Sequence, residues 1–164
     1  MMPDWLTHVL IGWGVANFLV LKRKDFELYK AALIIGSILP DIWHIRILID
    51  YVSGINLTWP LYAFHTPLGA AVVAVLIGLL FLKEKYRKQG TLFLMGGVSI
   101  HFCLDLMLNH IEGGHYLLFP FSKQLYELKI FWPETFTFLW IALVFWGISQ
   151  ILSKKLNTIT ASYI

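Results

Sequence analysis

The sequence is poor in cysteine and in charged residues. Cys103 is its single cysteine, which excludes an intramolecular disulfide and a cysteine-based zinc cluster. Charged residues make up 14% of the chain and hydrophobic residues 58%. Soluble domains typically contain about 25% charged and about 45–50% apolar residues. The shortage of charge therefore predicts a membrane protein rather than a soluble domain.

The apolar residues are concentrated in long uninterrupted runs. Four windows lack Lys, Arg, Asp and Glu, namely residues 5–21, 66–82, 91–104 and 135–153. A fifth segment, 31–49, has a similar length but is interrupted by Pro40 and polar residues. About 17–25 residues span a bilayer as a helix. We therefore predict an all-α polytopic membrane protein, a single domain over residues 1–164 with about five transmembrane helices in one bundle, at approximately 5–21, 31–49, 66–82, 91–108 and 135–153.

The basic residues predict an orientation. Ten of the 13 Lys and Arg residues follow the first, third and fifth predicted spans: Lys22, Arg23, Lys24, Lys30, Lys83, Lys85, Arg87, Lys88, Lys154 and Lys155. The positive-inside rule makes that side cytoplasmic, with the N-terminus outside and the C-terminus inside, in the plasma or inner membrane. Residues 1–4 contain no basic residue, so we expect no cleavable signal peptide. The expected partner is the lipid bilayer; no nucleic-acid binding is expected, and no protein partner is identifiable.

An ionisable pair lies inside the fourth predicted span. His101 and Asp105 are four residues apart, so a helix places them on one face, where an imidazole and a carboxylate can reach the same ion. A charged residue at a helix centre in a membrane costs about 2.5–3.5 kcal/mol on insertion scales, so such residues are functional candidates by default. Cys103 lies between them and points away from that face.

A second carboxylate follows a break in the second predicted span. Pro40 has no N–H to donate to Gly36 and disfavours helix at the preceding residue, so the chain is kinked or broken where Asp41 follows. Broken backbone at membrane depth is tolerated mainly where it lines a protein-enclosed or watery cavity. Asp41 is therefore a candidate ligand or general base, although a helix-capping role is compatible with the same position. His44, one turn beyond, could orient Asp41 or bind a second ion.

Further histidines fall on the same predicted side of the membrane. His8 lies one turn into the first span, and His65 lies beside Pro67 at the start of the third. His8 taken alone would more commonly be a solvated or hydrogen-bonded bystander than a ligand. Together they predict one site in the outer half of the bundle, with the ligands His8, Asp41, His65, His101 and Asp105. This nitrogen and oxygen set suits one or two divalent ions, zinc above others.

The outer connections supply candidates for a second shell or for substrate contacts. These are His44, Arg46, His110, Glu112 and His115. Arg46 is also spaced for an ordinary ion pair with Asp50, and exposed loop residues of these types are commonly only solvated.

Five short motifs resemble one known family. They are Thr7-His8 with Gly12, and residues 36–44 (GSILPDIWH), 65–69 (HTPLG), 101–105 (HFCLD) and 117–122 (LLFPFS). This set is similar to the YdjM-like family of predicted membrane-bound metal-dependent hydrolases, over nearly the whole chain up to Ser122. The pattern departs from that family at Trp43, where an acidic residue is frequent, and at residues 61–63, where a further histidine is frequent.

A more distant resemblance concerns the order of the ligands. The order His, Asp, His, His-x-x-x-Asp is similar to that of zinc-dependent phospholipase C and the P1-type nucleases. This resemblance implies an all-helical metal site that cuts phosphoesters, with Asp41 as base and His65, His101 and Asp105 as ligands. The later His-x-x-x-Glu pair of the phospholipases is missing from this sequence.

The leading hypothesis is a membrane-embedded metal-dependent hydrolase that acts on a phosphoester of a lipid or another membrane-proximal substrate. A bound divalent ion would make hydroxide available near neutral pH, and Asp41 would act as general base. The alternative is a non-catalytic metal-binding membrane protein, either a small transporter or a sensor. Intramembrane zinc proteolysis is disfavoured because the sequence lacks His-Glu-x-x-His.

Overall fold

The described part of the protein is all-helical. The computed structural model describes residues 5–54, 62–109, 113–132 and 136–161, without the side chains of residues 43, 46–48, 50 and 157–161. In these ranges the helices are α1 (Trp5–Lys22), α2 (Lys30–Ile38), α3 (Ile45–Ser53), α4 (Pro67–Phe81), α5 (Glu84–Met107) and α6 (Thr137–Ala161). Short 3-10 segments cover Lys24–Tyr29, Leu39–His44 and Ala63–His65. The same ranges contain isolated β-bridges but no β-strand, which confirms the all-α prediction.

The prediction of about five spans is not confirmed. By length and composition, three helices of the described chain can cross a membrane: Trp5–Lys22, Glu84–Met107 and the Thr137–Leu156 part of α6. α4 is apolar but has only 15 residues, a rise of about 22 Å against a hydrocarbon thickness of about 30 Å. The predicted second span is divided into α2, a 3-10 segment and α3, because Pro40 interrupts the helical hydrogen bonds.

α5 starts earlier than the predicted fourth span. It begins at Glu84, so Lys85, Arg87 and Lys88 are helical, although the sequence analysis treated them as a connection. Lys, Arg, Glu and Gln are good helix formers, and no proline separates this run from the apolar residues that follow. The run of charged residues correctly marked where the apolar segment begins, but it did not mark where the helix begins.

α5 is the central helix of the bundle. It packs against α2 and α4, while α1 packs between α2 and α6. The largest buried apolar cluster joins the end of α2, α4 and α5, and it contains Leu39, Ala70, Ala74, Leu94, Val98 and Phe102. Two glycines allow α2 and α5 to approach closely: a Cβ on Gly36 would overlap the backbone of Leu94, and one on Gly97 would overlap the backbone of Leu33.

The outer surface of the bundle is strongly apolar. Large hydrophobic side chains are exposed along the length of α4 and α6, among them Leu79, Leu80, Phe81, Trp140, Val144, Ile148 and Ile151. A continuous apolar exterior is expected of helices that face lipid rather than water. A set of polar side chains, among them His8, Asn17, Asp41, His101 and Ser149, is instead buried where the helices meet.

Candidate metal centre

α5 provides the centre of a buried polar cluster. His101 is fully buried and Asp105 is 3% exposed. They lie one turn apart, with 3.1 Å between His101 Nε2 and Asp105 Oδ2. Cys103 lies between them in sequence and is exposed, so it takes no part in the cluster. The four-residue spacing therefore brings the imidazole and the carboxylate together on the buried face of the helix.

His8 reaches the other oxygen of the same carboxylate. It lies in the second turn of α1, is 2% exposed, and its Nε2 is 3.0 Å from Asp105 Oδ1. Its ring stacks on that of His101, with 4.2 Å between ring centroids. Asp105 thus presents one oxygen to α1 and the other to the rest of the cluster.

Asp41 enters the cluster from the break after α2. The Leu39 N–H bonds to the Gly36 carbonyl, which tightens the chain into the 3-10 segment that contains Pro40 and Asp41. Asp41 is 1% exposed, and its Oδ1 lies 3.5 Å from His65 Nε2 and 3.9 Å from His101 Nε2. His44 lies beside it, with Nδ1 3.4 Å from the same oxygen.

His65 is held at the start of α4. It ends the Ala63–His65 segment, and the next residue, Thr66, caps α4 by accepting a hydrogen bond from the Gly69 N–H at 3.2 Å. Pro67 occupies the first turn of the helix, where a missing N–H costs nothing. His65 Nε2 lies 3.4 Å from Asp105 Oδ2 and 3.3 Å from His101 Nε2. The cap therefore fixes the backbone from which this imidazole points inward.

His115 joins the cluster from the connection after α5. It is 7% exposed, and its Nε2 lies 3.6 Å from Asp105 Oδ2. Two backbone hydrogen bonds of 3.0 Å pair His115 with Tyr126. Gly114 has φ +104° and carries no Cβ, so the chain can lie close to the Tyr126 carbonyl. From the sequence, His115 is predicted only to lie near the metal ligands or to contact the substrate, because spacing alone cannot show where a loop folds back.

The remaining candidate residues for substrate or indirect metal contacts differ in where the structure places them. His44 is half-buried beside Asp41, as a neighbour of the cluster. His110 and Glu112 lie outside the described residues, and so does the side chain of Arg46. The structure thus brings together the five predicted ligands and His115.

Ser37 positions His101, and the sequence analysis did not identify it. The His101 Nδ1–H donates to the Ser37 carbonyl at 2.9 Å, which leaves the lone pair of Nε2 directed into the cluster. The Ser37 hydroxyl is 3.0 Å from the His8 carbonyl and 2.8 Å from the Ile34 carbonyl. The signal in the sequence was the pair of small-residue sites, Gly36-Ser37 in α2 and Gly97 in α5, where the two helices approach closely.

The cluster is suited to a divalent cation. Three sets of side chains place one ligand atom each within 4.8 Å of one another: His8, His101 and Asp105; Asp41, His65 and His101; and His65, Asp105 and His115. Four-coordinate zinc with bonds of about 2.0–2.1 Å holds its ligand atoms about 3.3–3.4 Å apart. The distances of 3.0–3.9 Å among the cluster atoms bracket that spacing.

The hydrogen bonding of Asp41 also fits a cation. Neither carboxylate oxygen of Asp41 accepts a well-aligned hydrogen bond from the described residues. A buried ionised carboxylate without such bonds is costly, and a bound cation removes that cost. His8 Nδ1 has no hydrogen-bond partner among these residues either. The donor set and the hydrogen bonding of Asp41 therefore both fit a metal ion.

Comparison with known proteins identifies a family. A family model described as YdjM inner membrane protein matches residues 1–164. No curated protein and no solved structure matches the chain, so the similarity to zinc-dependent phospholipase C and the P1-type nucleases is not supported. The chain belongs to the YdjM inner membrane protein family.

Proposed function

We propose that this member of the YdjM family is a membrane-embedded metal-dependent hydrolase that cleaves a phosphoester, with zinc as the preferred ion. One observation carries the proposal: two buried carboxylates and four imidazoles, from separate segments of the chain, meet with their ligand atoms directed at one another. Packing alone does not require such a cluster, because each buried charge costs several kcal/mol unless it is compensated.

The residues have different roles in this proposal. His8, His65, His101, Asp105 and His115 would hold one or two ions, and the two oxygens of Asp105 face different histidines. A bound divalent cation lowers the pKa of water to about 7 in favourable cases and neutralises charge on an attacked oxyanion. Asp41 accepts the proton of the attacking water as general base, and His44 orients its carboxylate.

The substrate is a lipid or another membrane-proximal phosphoester. The cluster lies at the end of the bundle away from the basic residues that follow α1, which the positive-inside rule assigns to the cytoplasm. The site therefore belongs to the extracytoplasmic half, with the N-terminus outside and the C-terminus cytoplasmic. An amphiphile can bring its headgroup to this depth while its tail stays in lipid.

The first test is the metal content of detergent-purified protein by elemental analysis. We expect about one or two zinc ions per chain in the wild type and none in His101→Ala with Asp105→Ala. Cys103→Ala is the matched control, since it alters the exposed face of the same helix and should keep the wild-type content. A wild-type protein that binds neither zinc nor manganese after dialysis against each ion contradicts the proposed metal site.

The second test separates hydrolysis from metal binding alone. Bis(p-nitrophenyl) phosphate and phospholipid in mixed micelles are offered to metal-loaded protein, and we expect turnover that falls about 100-fold or more in Asp41→Asn. Metal content is measured on the same samples. Bound metal without turnover of either substrate would instead favour a non-catalytic metal-binding protein, the transporter or sensor of the alternative hypothesis.

A further inference from the structure

A second polar site lies at the opposite end of α1. A cavity of about 280 Å³ opens between the end of α1, the Lys24–Tyr29 segment and the end of α6. Asn17, which lines it, is nine residues from His8, and this corresponds to a rise of about 13.5 Å along the helix. The volume is close to the roughly 300 Å³ at which small-molecule pockets begin. No function assigned above uses this cavity.

The floor of the cavity is a buried amide network. Asn17 is 1% exposed, and its Nδ2 donates to Ser149 Oγ at 3.0 Å. In the amide orientation that satisfies its neighbours, the Gln150 side-chain oxygen accepts from the Asn17 Nδ2 at 3.0 Å, and from the indole N–H groups of Trp13 and Trp146. Gln150 and Ser153 line the cavity beside Asn17, and both are partly exposed. The cavity therefore offers polar side chains to an incoming hydroxyl.

The rim of the cavity is basic. Lys24, Lys30 and Lys154 line it, against the single carboxylate of Glu27, which lies 3.6 Å from the Lys30 amine. Val20, Leu21 and Leu156 add apolar walls next to this rim. Basic pockets between membrane helices at the cytoplasmic side are suited to anionic lipid headgroups, because the phosphate meets the amines while the acyl chains stay in the bilayer.

We propose that this cavity binds one anionic phospholipid whose phosphodiester headgroup carries a hydroxyl, as in phosphatidylglycerol. The three lysines contact the phosphate, and the polar side chains of Gln150 and Ser153 hydrogen-bond to the headgroup hydroxyl. The apolar walls contact the start of the acyl chains. This site is independent of the metal centre, which lies at the other end of α1.

Native mass spectrometry of the detergent-purified full-length chain tests the proposal. The probes are dioleoyl-phosphatidylglycerol, dioleoyl-phosphatidylcholine, dioleoyl-phosphatidylmethanol and sn-glycerol 3-phosphate. We expect retention of phosphatidylglycerol at least tenfold above phosphatidylcholine, and several-fold above phosphatidylmethanol, which has the same charge but no hydroxyl. Equal retention of the phosphatidylcholine overturns anionic recognition, and equal retention of phosphatidylmethanol overturns the role of Gln150 and Ser153. Competition by glycerol phosphate at equal concentration would show that a free phosphoester, rather than a lipid, is the ligand.

Two triple variants with equal loss of charge sharpen the test. Lys24→Gln with Lys30→Gln and Lys154→Gln should weaken phosphatidylglycerol binding at least tenfold. Lys83→Gln with Lys85→Gln and Lys88→Gln removes three exposed amines that do not line the cavity, and it should change binding less than twofold. An equal loss in both would mean diffuse surface attraction and would overturn the proposal.

One charge-reversal variant and a measurement of metal content are added to these binding experiments. Lys154→Glu should reproduce most of the loss with less disturbance of the fold, and unchanged binding in this variant contradicts the proposal. Metal content is measured on every sample, because it reports on the other end of α1. Lost lipid binding with unchanged metal content supports the lipid site whether or not the centre is catalytic.

Discussion

α1 joins two buried polar clusters of different character. Near its start, His8 belongs to a cluster of titratable groups in which the Asp41 oxygens accept no well-aligned hydrogen bond from the described residues. Near its end, Asn17 belongs to a network of amides, a hydroxyl and indoles in which the amide and indole N–H groups have acceptors. In the first cluster two buried carboxylates lie among four imidazoles, whereas the second cluster satisfies most of its own hydrogen bonds. The first cluster therefore fits an ion site, and the second is a packing element that is open to a ligand at its rim.

Among the substitutions that test this difference between the two clusters, we expect the largest effect from one at the contact between α2 and α5. Gly97→Ala places a Cβ against the Leu33 carbonyl, so the helices must separate and the Ser37 carbonyl must move from His101. We expect a loss of about 1–3 kcal/mol in stability, as for other overpacked sites, together with weaker metal binding. Thermal unfolding and zinc titration measure both effects.

Gly96→Ala is the matched control for that change. A Cβ at Gly96 meets only the Leu33 Cδ1 at 3.9 Å, an ordinary contact. This variant should keep the stability and the zinc affinity of the wild type. If both alanine variants behave alike, the close contact does not position His101.

A smaller effect is expected from His115. His115→Ala removes an imidazole that lies 3.6 Å from one oxygen of Asp105 and beside the His65 ring, while the other candidate ligands keep their contacts with Asp105. We expect zinc affinity to fall about tenfold, or about 1.4 kcal/mol, without being abolished. Competition with a chelator measures the affinity, and Lys123→Ala, an exposed change in the same connection, should have no effect. Wild-type affinity in His115→Ala would remove this residue from the ligand set.

A substitution in the amide network should lower the stability of the protein but should not change its metal binding. Ser149→Ala deletes a hydroxyl that accepts from the Asn17 Nδ2 and donates to the Trp146 carbonyl at 2.7 Å. We expect a loss of about 1 kcal/mol in the free energy of unfolding with zinc content unchanged. Loss of zinc from this variant would mean that the two clusters are coupled along α1.

The smallest effect is expected at the exposed turn after α1. The Arg23 guanidinium hydrogen-bonds to Asp25 and lowers the pKa of that carboxyl below its usual 3.8. When folding lowers the pKa of a carboxyl, the folded state gains stability at pH values above the pKa of the unfolded chain. This gain is lost as the pH falls through the pKa of the folded state. Because both side chains are exposed and screened by water, Arg23→Gln should leave the midpoint of thermal unfolding at pH 7 unchanged. A clear shift would show that the turn supports the bundle more than its exposure suggests.

Several features of the site could be predicted from local rules. Helical spacing placed His101 and Asp105 on one face, and proline chemistry predicted the break that delivers Asp41. The proline in the first turn marked the start of α4 beside His65. These rules act within one turn of helix, so they can be applied to the chain without knowing its neighbours.

Other features depended on contacts between distant segments. The path that returns His115 to Asp105 is set by its pairing with Tyr126, and no pattern within the loop specifies that pairing. Ser37 was not identified because its role belongs to a backbone carbonyl, which any residue carries. The predicted number of spans is not confirmed, because apolar length was counted in segments whose helices the structure shortens or divides.

The sequence by itself determined a membrane-embedded, all-helical chain in which a few ionisable residues lie within apolar helices. Composition and periodicity are sufficient for that, because the transfer of apolar surface from water is additive and local. Only the tertiary structure decided which histidines share which oxygen of Asp105, and that a second polar site lies at the other end of α1. Both depend on distances between separate helices, and these distances are set by the close contacts at Gly36 and Gly97 and by loop pairing across the bundle.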